Sequence, residues 1–155
     1  MIADIAHQEG INLPDLSPAT VEKITHVQSP FLSVLNPLNA PEAAVRKKDV
    51  FATCVNSLIE DEAIDAVGIR IQMPRLRESK DNVARFSDVV ETSRKTDKML
   101  LFFSRGSVSL PEYWRQLIGE HPVPFMLEYR KGFKALKALI DYYRFREARQ
   151  KKAAK

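Results

Sequence analysis

The sequence has few of the residues that build disulfide scaffolds, membrane spans or glycine-rich phosphate loops. It contains one cysteine, Cys54, in 155 residues, so an internal disulfide is excluded. No apolar run approaches the ~18 residues of a membrane-spanning helix, and the first residues lack the basic and apolar regions of a signal peptide. Five glycines are about half the number that average usage predicts. These absences lead us to expect a soluble, cytoplasmic domain.

The positive charge of the chain is concentrated at its C-terminal end. Residues 130–155 contain ten Lys and Arg residues against two acids, a net charge of +8. Because the whole chain carries +4, residues 1–129 carry −4. A nucleic-acid-binding domain typically spreads basic residues over a folded face that also offers base-stacking aromatics. The distribution argues against nucleic-acid binding by the domain and favours a solvated helix that leads into a linker.

Helical periods alternate with short apolar runs along the chain, a pattern typical of βα units around a parallel sheet. Ser17 followed by Pro18 indicates a helix start. Helices are predicted over Met1–Glu9, from Ser17, over 45–60, over Ser79–Arg94, from Pro111, and from Lys131 with Tyr143 facing inward. Strands are predicted over Phe31–Leu35, Ile64–Ile71, Met99–Phe103 and Val123–Leu127.

The resulting fold is a three-layer α/β domain over residues 1–143, with a short, mainly parallel sheet of about four strands. Residues 144–155 are expected to be a basic helix end or linker. The chain begins on a helix, whereas a doubly wound sheet usually begins on a central strand with a phosphate-binding loop. We therefore expect that the first strand is missing and that an unpaired strand edge promotes self-association.

The known short catalytic motifs are absent from the sequence. It contains no dinucleotide-binding glycine fingerprint, P-loop, nucleophile elbow or zinc-protease motif. His7, His26 and His121 are far apart and lack metal-ligand spacing, so each is predicted on a helix surface or in a loop. Cys54 falls on the apolar face of its helix and is predicted to be an inert, buried thiol. The sequence thus predicts no metal site and no catalytic residue.

Two loops after predicted strands are the candidate ligand sites, because open α/β sheets bind ligands beyond the carboxyl ends of their strands. Asparagine amides, an arginine and free helix N–H groups together suit an anion. The candidate residues are Asn36, Asn39, Ser104, Arg105, Gly106 and Ser107. The alternative is that the asparagines close an Asx turn and that Gly and Ser form an ordinary turn. A third loop with two arginines, Met73–Arg77, is interpreted as solvated.

Several short motifs follow one another in a distinctive order. They are Glu9–Thr20 (EGINLPDLSPAT), Asn36–Asn39 (NPLN), Glu60–Val67 (EDEAIDAV), Lys98–Ser107, Pro122–Phe125 (PVPF) and the helix end Asp141–Arg144 (DYYR). This order resembles the CoA-ligase domain of NDP-forming acyl-CoA synthetases, the acetate–CoA ligase (ADP-forming) type. More distantly, it is similar to the C-terminal domain of the succinyl-CoA synthetase β subunit. The resemblance covers about residues 9–146.

The resemblance implies a flavodoxin-like domain of an acid–CoA ligase. The parent reaction converts acyl-CoA, NDP and phosphate to acid, CoA and NTP through a phosphohistidine on a neighbouring domain. The implied partners are that histidine-bearing, CoA-binding domain and an ATP-grasp domain, which use CoA and ADP or ATP with Mg. This chain is expected to bind none of these cofactors alone, to help form the phosphohistidine pocket, and to be inactive in isolation.

Two other interpretations stay open. Asn39 stands where the family has an acid, and Arg105-Gly106 keeps one of its paired glycines. These differences fit an interaction module that keeps the fold without the chemistry. Alternatively, the basic helix Arg144–Lys155 binds nucleic acid or another acidic surface. The scaffold also occurs fused to acetyltransferase domains.

Overall fold

In the described part of the chain, three parallel strands form the sheet, and a layer of helices covers each face. The strands are β1 (Ala66–Arg70), β2 (Met99–Phe103) and β3 (Phe125–Met126), hydrogen-bonded in the order β1-β2-β3. The computed structural model describes residues 2–28, 33–40, 47–71, 80–104, 110–121 and 123–153. The predicted three-layer α/β class with a parallel sheet is confirmed, consistent with a short flavodoxin-like domain that lacks strands.

Six helices surround this sheet in the described part of the chain. They are α1 (Ile2–Gln8), α2 (Pro18–Val27), α3 (Lys48–Glu60), α4 (Lys80–Ser93), α5 (Glu112–Gly119) and α6 (Tyr129–Ala153). Side chains of α3, α4 and α5 pack on one face, and those of α1 and α6 pack on the other. The helix α2 packs against the outside of α3. Among these helices, none combines the length and the apolar composition needed to cross a bilayer.

Strand β2 is buried on both faces, as its unbroken apolar run predicts. Leu100 and Phe102 point into the core beneath α3, α4 and α5. Leu101 and Phe103 point to the opposite face, beneath α1 and α6. This alternation follows from the two-residue period of a strand. The central strand therefore joins the two halves of the core.

The start of α2 is fixed by a serine cap, as the Ser17-Pro18 pair predicts. The Ser17 hydroxyl oxygen accepts a hydrogen bond from the Thr20 backbone N–H at 3.3 Å. Pro18 takes the first helical position, where its missing N–H costs nothing. Ile24, six residues further along, is fully buried against α3.

We expect Ser17→Ala to lower the free energy of unfolding by about 1 kcal/mol, because the Thr20 N–H loses its acceptor. Ser17→Thr keeps a hydroxyl at the cap and should retain most of the stability. Urea denaturation of the two variants and the wild type measures the difference. Equal losses in both variants would contradict the capping role.

The predicted strand Phe31–Leu35 does not form where the structure describes it. Residues 33–35 are irregular, and Phe31 and Leu32 lie outside the described residues. Val34 instead packs its side chain against the buried cluster between α2 and α3. The expected sheet of about four strands therefore has three in the described ranges, and the last is shorter than predicted. Val123 is buried, but the pairing of β3 is confined to two residues.

The last helix is longer than predicted, and the prediction that Tyr143 lies in its buried face is wrong. It starts at Tyr129 rather than Lys131 and continues through the expected linker to Ala153. Tyr143, predicted to face inward, is 54% exposed. Twenty-five helical residues span about 37 Å, whereas a five-residue strand spans about 17 Å. The end of α6 therefore extends past the sheet and has no core to cover.

Candidate functional site

The carboxyl ends of the three strands meet at one edge of the sheet, which we call the carboxyl edge. Since α4, α5 and α6 each follow a strand in the chain, all three helices begin there. The first N–H groups of a helix have no partner within the helix, and the helix dipole adds positive potential at that end. The edge therefore favours anions on general grounds.

Ser104 is the candidate residue that the structure places directly at this edge. It follows β2 and is 4% exposed. Its backbone N–H donates to the Met126 carbonyl at 2.9 Å, and its hydroxyl donates to the Leu127 carbonyl at 2.7 Å. The serine thereby fixes the end of β2 to the residues after β3. Arg105, Gly106 and Ser107, together with the loop Met73–Arg77, lie outside the described residues.

The second candidate loop, Asn36–Asn39, is held by a different part of the molecule. The Asn36 side-chain amide donates to the Pro14 carbonyl at 3.0 Å. Leu38 packs against the cluster between α2 and α3, and Asn39 is exposed. Asn36 thus anchors the turn to the segment before α2, whereas Ser104 is anchored to the end of β3. Each candidate loop has its own structural partners.

Tyr129 is a buried polar residue at the carboxyl edge that the sequence analysis did not single out. It is the first residue of α6, it is 5% exposed, and its ring lies 6.2 Å from that of Phe103. Its hydroxyl oxygen is buried and has no hydrogen-bond partner among the described residues. A buried phenol without a partner is unfavourable, so a ligand at this edge that accepted a hydrogen bond from it would stabilise the site.

Asp61 is a buried carboxylate at the opposite, amino edge of the sheet, just before β1. It is 3% exposed and accepts hydrogen bonds from the Ser17 N–H at 2.8 Å and the Ala63 N–H at 3.0 Å. Burial alone would raise its pKa, but these bonds and those from the Thr20 and Ser17 side chains lower the pKa from 3.8 to about 2. A carboxylate this acidic is ionised at neutral pH and serves the fold rather than proton transfer.

Part of the environment of Asp61 is visible in the local sequence, although Asp61 was not among the predicted site residues. Asp61 directly follows α3 and bonds the N–H two residues on, the local pattern of an Asx turn. Its second bond, to Ser17, spans 44 residues and no local pattern predicts it. A shallow cleft of about 380 Å³ lies beside it, between the start of α2 and the end of α3.

The histidines and the cysteine do not form a reactive cluster. His7 and His26 are exposed on helices, and His121 lies at the amino edge, its ring 5.8 Å from that of Phe86. Burial raises the pKa of the Cys54 thiol, against the opposing effect of the Gln28 amide 3.7 Å from its sulfur. Among the described residues, no three His, Cys, Asp or Glu side chains are grouped to hold a metal ion.

No protein-family model matches this chain, and neither does any curated protein. Among solved structures, the chain is similar to PH0766 from Pyrococcus horikoshii OT3, with a TM-score of 0.70 over 90% of its length. The two sequences are 17% identical, so the likeness shows the fold alone. The chain spans 32% of the length of PH0766. The three-layer fold described above therefore recurs as about a third of a longer protein.

Proposed function

We propose that this chain is the CoA-ligase domain of an NDP-forming acid–CoA ligase. Its role is to help form the pocket that receives the phosphorylated histidine of a neighbouring domain. The order of motifs along the sequence supports the family, and the three-layer parallel fold is compatible with it. The observation that carries the proposal is the carboxyl edge, where three helices begin beside Ser104 and the Tyr129 hydroxyl, which has no partner within the described ranges.

The chemistry of that edge suits a phosphoryl group. Free N–H groups at helix starts bind phosphate oxygens, and the helix dipoles stabilise their negative charge. Ser104 holds the start of the loop that contains Arg105, and a guanidinium forms two parallel bonds to a phosphate. The Tyr129 hydroxyl is a donor that needs an acceptor. Together these groups would bind and orient the phosphoryl group.

The same observations limit what this chain contributes. None of its three histidines stands in the Ser-His-Thr-Gly context that carries the phosphoryl group in the family. The phosphohistidine, the CoA and the nucleotide with Mg therefore belong to partner domains. This chain positions the phosphoryl group and excludes water, and it is inactive alone.

An interaction module without ligand chemistry is the second candidate function. This function is favoured because two candidate side chains already have hydrogen-bond partners within the chain. The Asn36 amide donates to the Pro14 carbonyl, and the Ser104 hydroxyl donates to the Leu127 carbonyl. Both side chains stabilise loops and need no ligand. The two functions differ in whether phosphate binds at the carboxyl edge.

Titration with inorganic phosphate, followed by amide chemical shifts of the 155-residue chain, separates them. The proposed ligase domain should show shifts at Ser104–Ser107 and Asn36–Asn39, and CoA alone should cause none at Ser104–Ser107. Amides at the amino edge, such as that of Asp65 just before β1, serve as the internal control because they lie at the opposite end of the sheet. Shifts confined to the basic residues 144–153 would contradict the pocket and leave the interaction module.

Two substitutions in the pocket and one control substitution test the same proposal. We expect Arg105→Gln to weaken phosphate binding by about tenfold, because a bidentate charged contact is lost. Arg94→Gln removes the same charge after α4, at the amino edge, and should leave binding unchanged. Tyr129→Phe should weaken phosphate binding while keeping or raising the free energy of unfolding, since it deletes an unpartnered buried hydroxyl. If Arg105→Gln and Tyr129→Phe both bind phosphate like the wild type, the pocket is wrong.

A further inference from the structure

The end of α6 presents an exposed surface of aromatic and basic side chains. From Asp141 to Ala153 every residue of the helix is exposed. Tyr142, Tyr143 and Phe145 are 55%, 54% and 58% exposed. The Arg146 guanidinium lies 5.9 Å from the centre of the Tyr142 ring, and that of Arg149 lies 5.7 Å from Phe145. We call residues 141–153 the tail.

Two of the three rings and three of the five basic residues of the tail share one face of the helix. Tyr142, Phe145, Arg146, Arg149 and Lys152 follow the i, i+3, i+4, i+7 and i+10 spacing of a helical stripe. Of the two acids, Glu147 is on the other side of the helix, and Asp141, one turn before Phe145, is paired with Lys137. Exposed rings and arginines in one patch are typical of a protein interface.

The direction of α6 places the tail beyond the amino edge of the sheet. Tyr129 and Phe133 contact Phe103, at the carboxyl end of β2, so the helix runs back along the sheet from that edge. About twelve residues are enough to cross the sheet. The remaining 13 residues of the tail extend about 20 Å past the amino edge.

The amino edge also carries an acidic patch, which we define as Asp15, Glu60, Glu62 and Asp65. All four are exposed and lie next to Asp61, the buried carboxylate that joins α2, α3 and the start of β1. Two cations lie beside these acids: Lys23 is paired with Glu60 at 2.6 Å, and the Lys98 ammonium donates to the Asp61 carbonyl at 2.6 Å. The shallow cleft between α2 and α3 opens within this patch.

We propose that two copies of this chain associate with their amino edges facing each other, and that the tail of each copy docks on the acidic patch of the other. Charge complementarity selects this occupant, because the tail is basic and residues 1–129 carry −4. Both surfaces lie at the same end of the sheet, so a two-fold axis satisfies both contacts at once and closes the assembly. The pairing buries the exposed Tyr142 and Phe145 rings of the stripe, which otherwise stay in water.

Other occupants fit the tail less well. The tail has few apolar residues besides its three rings, too few for the apolar face of a membrane-surface helix. A nucleic acid would meet the basic stripe but also the negative charge of the acidic patch beside it. The proposed pairing uses the amino edge, whereas the phosphate pocket is at the carboxyl edge. The pairing and the proposed function can therefore be tested independently.

Sedimentation equilibrium of the 155-residue chain tests the pairing. We expect a mass of about 35 kDa, twice the 17.7 kDa of one chain, at about 50 mM salt, and dissociation toward the monomer at about 500 mM. Reversing the charge of the tail with Arg146→Glu and Arg149→Glu should raise the dissociation constant of the dimer more than about tenfold. Reversing the charge of the acidic patch with Glu60→Lys and Glu62→Lys should raise it by a similar factor. Asp49→Lys with Glu112→Lys, at the carboxyl edge, makes the same charge change as the patch variant and should leave the dimer intact.

Mixing the two reversed variants is the decisive step. An acidic tail then meets a basic patch in one contact and a basic tail meets an acidic patch in the other, so a heterodimer should form from two monomeric proteins. All substituted residues are exposed, and circular dichroism checks that each variant is folded. A mixture that stays monomeric overturns the proposal, as does a dimer that survives both reversals. A wild type that is monomeric at every concentration but binds a single-stranded oligonucleotide or anionic vesicles overturns it in favour of that partner.

Discussion

Gly132→Ala is expected to lower the free energy of unfolding by about 1–3 kcal/mol, although alanine is the better helix former by about 1 kcal/mol. Gly132 lies in α6 directly over the Phe103 ring. A Cβ atom at this position would come within 3 Å of two carbons of the ring and also meet Met126. The loss therefore reports packing against the ring rather than helix propensity.

The ring of Phe103 cannot move away from the added methyl group. Its other side faces Gly68 of β1, where a Cβ atom would approach the ring at 2.6 Å. Phe133 also packs against it, with ring centres 5.0 Å apart. Phe103 thus fills the space that two missing side chains leave, one on the sheet and one on the helix above it.

Gly119→Ala is the matched control, since nothing lies within 4 Å of a Cβ atom at that position. It should leave stability unchanged or raise it slightly. Combining Gly132→Ala with Phe103→Leu should recover part of the loss relative to the sum of the single changes, because the smaller side chain makes room. Thermal and urea unfolding of the wild type, the three single variants and the double variant measure these differences. A stabilised Gly132→Ala variant would show that α6 does not sit this close to the sheet.

Local sequence patterns predicted the structural features that depend on residues close together in the sequence. The run Met99–Phe103 is buried on both faces because it is apolar throughout, and Ser17 caps α2 through a bond three residues away. Such features depend on neighbours in sequence, so they can be deduced from it. The parallel order of the sheet followed from the alternation of these elements.

Features that depend on distant partners were not predictable in the same way. The apolar period of α6 continues to Tyr143, but the sheet beneath it ends earlier, and the length of the sheet is not visible in the helix sequence. Residues Phe31–Leu35 have strand composition, yet Val34 packs between α2 and α3. At the candidate site, Ser104 was singled out because it follows a predicted strand, whereas Tyr129 became a candidate only from its buried hydroxyl, which has no partner in the described part of the chain.

Replacing Asp61 should cause a loss of stability comparable to that of Gly132→Ala or larger, and one that depends on pH. Asp61→Ala leaves the Ser17 and Ala63 N–H groups without their acceptor in a buried place, which we expect to cost about 2–4 kcal/mol at pH 7. Asp61→Asn keeps the shape and one acceptor oxygen, so its loss should be smaller. Urea unfolding at several pH values measures both.

The pH dependence follows from the lowered pKa. Because the pKa of Asp61 is about 2 in the folded state and 3.8 without these bonds, its ionised form stabilises the fold fully above about pH 4. This stabilisation, about 2 kcal/mol, is lost as the pH falls toward 2 and the carboxylate takes up a proton. The difference between wild type and Asp61→Asn should therefore shrink over that interval. Glu62→Gln, the same change at the exposed neighbour, should follow the wild-type profile, and an Asp61→Asn profile parallel to wild type down to pH 2 would refute the assignment.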